Sequence, residues 1–185
     1  LRMSRGLGDV YKRQGLKYTT DVDTMYFVTY STGYKSPGWD IIFEMTPDVA
    51  ARGSVDPETS TNFEVGMKTK VLNDSMILAL TYFDSTFDDY QQQSFIEDIL
   101  QFRLANVGEI STSGLEVDLF GTLADNLTVN AGLALVDAVV DSWDGAQCYA
   151  GQSEALGCVG GTQDLAGGEV PLSPAVSYTH LRAHE

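Results

Sequence analysis

The stretch Pro57 to Gln91, PETSTNFEVGMKTKVLNDSMILALTYFDSTFDDYQ, reads as two long β-strands joined by a very short turn, and the rest of the chain repeats or extends that plan. In its first arm Phe63, Val65, Met67 and Val71 alternate with Glu64, Gly66, Lys68 and Lys70. This is the period of two that arises when one sheet face meets an apolar medium and the other meets water. The second arm begins at Met76 and sets Leu78, Leu80 and Tyr82 against Ala79, Thr81 and Ser85, with Ile77 and Phe83 breaking the alternation. Between the arms stand Asn73 and Asp74, residue types that tolerate the tight backbone of a hairpin connection.

A second hairpin, over residues 109–141, has the same design. Leu115, Val117 and Leu119 oppose Gly114, Glu116 and Asp118, and Asp125-Asn126 supplies the turn. Leu127, Val129, Ala131, Leu133 and Leu135 then alternate with Thr128, Asn130, Gly132 and Ala134. Upstream, residues 15–20 read as the end of a strand, 21–23 as a turn and 24–35 as a further strand rich in Tyr, Phe, Val and Thr. Residues 36–58 hold three prolines and two glycines with no clean period, and read as a long loop. Residues 91–103 are polar at their start and are expected to form a short loop or a helical turn, with the next strand running from about Phe102 to Thr122. A second long loop covers 144–168.

Alternation alone leaves two media open for the apolar parity: lipid outside a barrel, or the interior of a soluble β-sandwich. Length favours the first. A membrane strand needs about 9 to 11 residues and a sandwich strand about 5 or 6, whereas these arms run to roughly 12 to 16. Tyr30, Tyr34, Tyr82, Tyr90 and Trp143, near the ends that lead into the long loops, fit an interfacial aromatic girdle. No apolar run reaches the length of about 18 residues that marks a membrane helix, a feature barrel strands do not show.

The two ends are set apart. Back-translated, Val176 to Glu185 can be written as DNA whose reverse complement, with T before it and AG after it, encodes SRGLGDVYKRQ, the sequence of Ser4 to Gln14. Such an inverted repeat resembles the adapter of a transposase-based sequencing library. Residues 1–14 and 175–185 are therefore expected to be adapter-derived, and 15–174 to be the native part. Of the 11 Lys and Arg and 26 acids in the 185 residues, the flanks hold five bases, two acids and both histidines, which leaves a net charge of −18 in 15–174. That balance excludes nucleic acid as a partner, because phosphate binding needs clustered bases. A stretch without histidine also excludes Ser-His-Asp and Cys-His catalysis and histidine-based metal sites.

The order of motifs carries a family resemblance. P-E-x-S-x-N-F-E-V-G-M-K, then the arm ending T-Y-F-D-S-T-F-D-D-Y-Q, then Asn106-Val107-Gly108 and Ser113-Gly114-Leu115-Glu116-Val117, resembles the barrel domain of TonB-dependent outer-membrane receptors. Leu127-Thr128-Val129, Asp137-Ala138 and the upstream YFVTYSTGYKSPG of residues 26–38 fit the same series. The resemblance implies an all-β fold: part of an antiparallel transmembrane β-barrel, seen here as an open, curved, up-and-down sheet of about five to seven long strands. It further implies a bacterial outer-membrane location and active uptake of a scarce solute, most often a ferric siderophore, energised by the TonB complex through parts absent from 15–174. Outer-membrane lipid, the small-molecule ligand and TonB are the implied partners, with no cofactor, no metal site and no catalysis. A carbohydrate or cobalamin importer of the same family, and a β-sandwich binding module, are the alternatives. With long loops outside and short turns in the periplasm, loops 36–58 and 144–168 become the candidate ligand-facing parts.

Cys148 and Cys158, separated by nine residues, admit a local disulfide, a metal-binding pair or two free thiols. The resemblance, through export into an oxidising compartment, implies the disulfide. Asp84, Asp88 and Asp89 lack calcium-loop spacing and read as a solvated strand end. The glycine-rich 151–168 does not open a helix after a strand, so it does not form a phosphate cradle. Lys35 and Arg52 are the basic residues assigned to the first loop, and the second has none.

Overall fold

The computed structural model describes residues 12–39, 47–96 and 101–182. Its main element is a seven-stranded antiparallel sheet. Four long neighbours form the middle: β3 (Glu58–Val71), β4 (Met76–Asp88), β7 (Glu109–Ala124) and β8 (Leu127–Ser142). They are flanked by β1 (Arg13–Thr19) and β2 (Met25–Lys35) on one side and β11 (Val176–Arg182) on the other. Neighbours in sequence are neighbours in space, apart from two insertions outside the main sheet: the hairpin of β5 (Gln91–Ile96) and β6 (Gln101–Asn106) between β4 and β7, and a second pair of strands between β8 and β11. β9 (Asp144–Gln147) and β10 (Thr162–Asp164) form another small hairpin.

Strands β3, β4, β7 and β8 have 14, 13, 16 and 16 residues, each more than a tilted bilayer crossing requires. The short turns lie at one end. Leu72, Asn73 and Asp74 all adopt left-handed backbone at φ 53°, 57° and 68°, and the Ser75 hydroxyl donates to the Leu72 carbonyl at 2.8 Å. Asn and Asp tolerate this conformation through their local hydrogen bonding. Leu72, 58 % exposed, adopts it as the first residue of the four-residue connection between the paired Val71 and Met76. At the same end Lys70 Nζ donates to Asp23 at 2.8 Å, tying the 20–24 turn to β3.

The register fixes the two faces. Val28, Val65, Tyr82, Leu115 and Leu135 form one continuous cross-strand row, and Tyr26, Met67, Leu80, Val117 and Leu133 form the next. Of these, Tyr82, Leu115, Leu133 and Leu135 are 39 to 44 % exposed. The other face carries Glu64, Lys68, Thr81, Glu116 and Asp118. Two residues that blur the sequence pattern have a place on this polar face. Phe83 lies over Gly114, as Phe27 lies over Gly66, and Ile77 pairs with Phe120 near the short turns.

A β-sandwich needs a second sheet over the apolar face, and among the described residues the other sheets are the hairpins β5–β6 and β9–β10. The surface agrees: the chain exposes 13366 Å² at 20.1 kDa, against about 8,700 Å² expected of a compact chain of that mass. The sheet is open, with β1 and β11 at its ends, as part of a barrel wall must be. In the flanks expected to be adapter-derived, Arg13 and Gln14 are part of β1, and Val176–Arg182 pair with β8. Upstream, Val170 N donates to Ala138 O, and beyond residues 171–174 the pairing resumes three residues out of that register, with Val136 N donating to Ala175 O at 2.9 Å.

Three segments differ from the sequence reading. Within 91–103, where a short loop or helical turn is expected, 91–96 and 101–103 are instead strand, in β5 and β6, while 97–100 lie outside the described residues. The strand expected from about Phe102 is split at Val107-Gly108, where Gly108 takes φ 94° and the chain turns back towards Ser142. Within 36–58, residues Pro47–Arg52 form one short helix, α1, while 40–46 lie outside the described residues.

Candidate functional site

At the long-loop end the sheet stops being a bare wall. Ile110, Ala138 and Val140, all on the polar-face parity, are buried at 5, 6 and 2 % exposure, and Val107 and Ala146 are buried as well. These buried residues lie where the chain after β6, and strand β9, adjoin the long-loop end of the sheet. β5 and β9 also meet there.

Around these residues, side chains hold segments far apart in sequence. The Gln91 amide, 7 % exposed, donates to the carbonyls of Ser36 at 3.1 Å and Asp56 at 2.9 Å. Its backbone N–H donates to the Glu58 carboxylate at 2.8 Å, and Lys35 Nζ donates to the same carboxylate at 3.3 Å. Asn106 accepts from Asp56 N–H at 2.8 Å, and donates to the carbonyls of Asp56 and Asp89 at 3.0 and 2.7 Å. Val55 N–H donates to Gly38 O at 2.7 Å, closing the base of the first loop. Loop 36–58 and the β5–β6 hairpin are thus joined at their roots.

The second loop is built separately. Cys148 and Cys158 are joined by a disulfide with Cα atoms 5.7 Å apart. Inside it the Gln152 amide donates to Leu156 O at 2.9 Å and to the Gln163 side chain at 2.8 Å, while Gln163 donates to Gln147 O. Tyr149, Leu156 and Val159 stand exposed on this loop. The chain returns to the wall through Gly167 and Gly168, which pair with Val140.

On the concave face below, a shallow groove is lined by Phe27, Asn62, Glu64, Thr81, Phe83 and Glu116. Asn62 donates to Glu64 at 2.8 Å and accepts from Ser85 at 2.6 Å. Asp84, Asp88 and Asp89 do not converge on this groove: Asp84 shares the outward parity with Tyr82, and Asp89 turns the chain at φ 51°. Among the described residues no group of three or more His, Cys, Asp or Glu side chains is placed to hold a metal ion. Arg103, half-buried on β6, was missed as a basic outer residue because its segment showed no strand period; its Nε finds no partner among the described residues.

Residues 4–181 match a family model described as TonB dependent receptor-like, beta-barrel, a match that runs into both flanking segments. Over 109 residues the chain is 28 % identical to a protein of Acinetobacter baumannii named as the probable TonB-dependent siderophore receptor PiuA, covering 59 % of this chain and 14 % of that protein. Among solved structures it is similar to the ferric yersiniabactin uptake receptor FyuA of Yersinia pestis, with a TM-score of 0.63 and 16 % identity, over 92 % of this chain and 22 % of that one. It is likewise similar to the ferripyoverdine receptor of the Pseudomonas aeruginosa outer membrane, with a TM-score of 0.61 and 14 % identity, over 93 % and 20 %. At such identities the structural likeness shows the fold. The chain spans about a fifth of the length of these solved proteins.

Proposed function

This chain belongs to the TonB-dependent receptor-like β-barrel family, and we propose that the protein it is part of takes up a ferric siderophore through the bacterial outer membrane, energised by TonB. Strands β2, β3, β4, β7 and β8 are outer-membrane wall. Loops 36–58 and 144–168 are ligand-facing, and the work is binding and gated passage in place of catalysis. The observation that carries the wall is the contrast of faces on one sheet: rows of Val, Leu, Met and Tyr outside, most of them exposed, and Glu64, Lys68, Glu116 and Asp118 inside. The ligand class is supported by the name of the curated relative. We also propose that residues 1–14 and 175–185 are translated adapter; sequencing the source DNA across Gln14 and Pro174 tests this, and a genomic match to either flank overturns it.

The function is tested with the full-length receptor containing this region, expressed in a Gram-negative strain stripped of its own siderophore receptors. Uptake of radioactive iron from catecholate, hydroxamate and phenolate complexes is measured with and without TonB. TonB-dependent uptake of one of them is the expected result. Uptake of cobalamin or an oligosaccharide instead reassigns the ligand within the family, and a protein whose migration in detergent does not change on heating overturns the barrel.

A further inference from the structure

We infer that Gln91 is a positioning residue that locks the β5–β6 hairpin to the root of the first outer loop, so that the two make a single ligand-facing unit; this rests on the receptor reading. Four separate pieces of chain meet at this amide: the end of β2 through Lys35 and Ser36, the approach to β3 through Asp56 and Glu58, and the two ends of the hairpin through Gln91 and Asn106. A glutamine is suited to the place. Its two N–H donors answer two carbonyls that no longer belong to a sheet, and burying those carbonyls unpaired is costly. Asn106 repeats the device one step away, again with both donors on backbone carbonyls and its oxygen on the Asp56 N–H. Neither side-chain amide bonds to a residue of the wall's strands; Gln91 meets the wall through its backbone, at Lys35 and Glu58. Their bonds hold loop to hairpin.

The position of the unit gives this lock a use. The hairpin leads through buried Val107 to the buried Ile110, Ala138, Val140 and Ala146 at the long-loop end of the polar face. A solute entering along that face passes the unit first, so its shape depends on Gln91 without Gln91 touching the solute. The hairpin therefore joins the two loops as a third ligand-facing element.

Gln91→Glu tests this with almost no change of volume, because it replaces the two N–H donors by a charged oxygen facing two carbonyls and Glu58. The full-length receptor in outer-membrane vesicles is digested with trypsin, which cleaves after Lys35 on one side of the lock and after Arg103 on the other. Both cleavages are expected to accelerate together by roughly tenfold or more, as when a buried polar set is left unpaired, while heat-modifiable migration stays unchanged. Apparent affinity for whichever ferric catecholate, hydroxamate or phenolate complex the wild type imports is expected to weaken with them. Asn106→Ala is expected to reproduce both effects, and carries the test if Gln91→Glu does not assemble. Release of one site alone, of neither, or of both with affinity intact overturns the inference. If the wild type imports none of the complexes, the siderophore reading fails separately, and the paired cleavage still decides whether loop and hairpin are one unit.

Discussion

Replacing Gly66 by alanine places a methyl group where the Phe27 ring lies. A Cβ built on Gly66 stands 2.6 Å from Phe27 Cζ, 2.7 Å from Phe27 Cε1 and 2.5 Å from the Leu80 carbonyl oxygen. Carbon atoms in contact prefer about 3.5 to 4.0 Å. The ring must retreat by about 1 Å, and the Leu80 carbonyl is part of the backbone and cannot follow. Overpacking of this kind costs about 1 to 3 kcal/mol. Gly132 is the control on the same face: a Cβ there meets, within residues 15–174, the end of the Asp118 carboxylate at 3.2 Å, a group that can give way. Gly132→Ala is expected to cost no more than about 0.5 kcal/mol. The assay is the urea midpoint of the folded, heat-modifiable band of the full-length receptor in detergent. Adding Phe27→Ala to Gly66→Ala should recover part of the loss, since the ring no longer collides. Equal midpoints for the Gly66 and Gly132 variants, or no coupling between Phe27 and Gly66, would refute the packing of ring over glycine.

Further expectations concern the faces, the outer loop and the turns. Leu133→Arg, on the outward face, should destabilise the barrel by about 2 to 4 kcal/mol, whereas Ala134→Arg on the inward face should leave assembly intact; urea midpoints in lipid decide. Cys148→Ser with Cys158→Ser is expected to speed proteolysis between residues 144 and 168 without moving the barrel midpoint, and mass spectrometry after alkylation without reductant should find neither thiol modified in the parent protein. The Lys70 ammonium beside Asp23 holds its carboxyl below the ordinary carboxylate range. The stability this adds is present above the unfolded carboxylate value, near pH 4, and is lost as pH falls through the lower folded value. Asp23→Asn should therefore lower the midpoint slightly at pH 7, the difference from the parent closing in strong acid and shrinking in high salt.

The wall was legible because a sheet between two media writes its period into the sequence. Leu127 to Leu135 alternate without a break, and Asn73-Asp74 and Asp125-Asn126 mark the short turns where the structure places them. Parity failed where a large apolar residue faces inward for a local reason: Phe83 covers Gly114, and such a pair depends on register between strands, which one strand cannot display. The β5–β6 hairpin was illegible for another reason. Among its described residues only Gln91 is buried, and its roots are held by Gln91 and Asn106 through backbone carbonyls of distant residues. A run of three glutamines shows neither the period of a strand nor the chemistry of a turn. Arg103 went unnoticed with it, so the outer mouth has a basic residue that composition assigned to no loop.

The central claim is that the outward rows meet lipid and the inward rows meet the lumen. Single cysteines in place of Leu80, Thr81, Leu115, Glu116, Leu133 and Ala134 in the full-length receptor, spin-labelled in bilayers, test it through collision with oxygen and with a water-soluble nickel chelate. Labels at 80, 115 and 133 should collide mainly with oxygen, and labels at 81, 116 and 134 should not, a strict alternation on all three strands. Chelate access at 80, 115 and 133, or no alternation at all, would contradict the account.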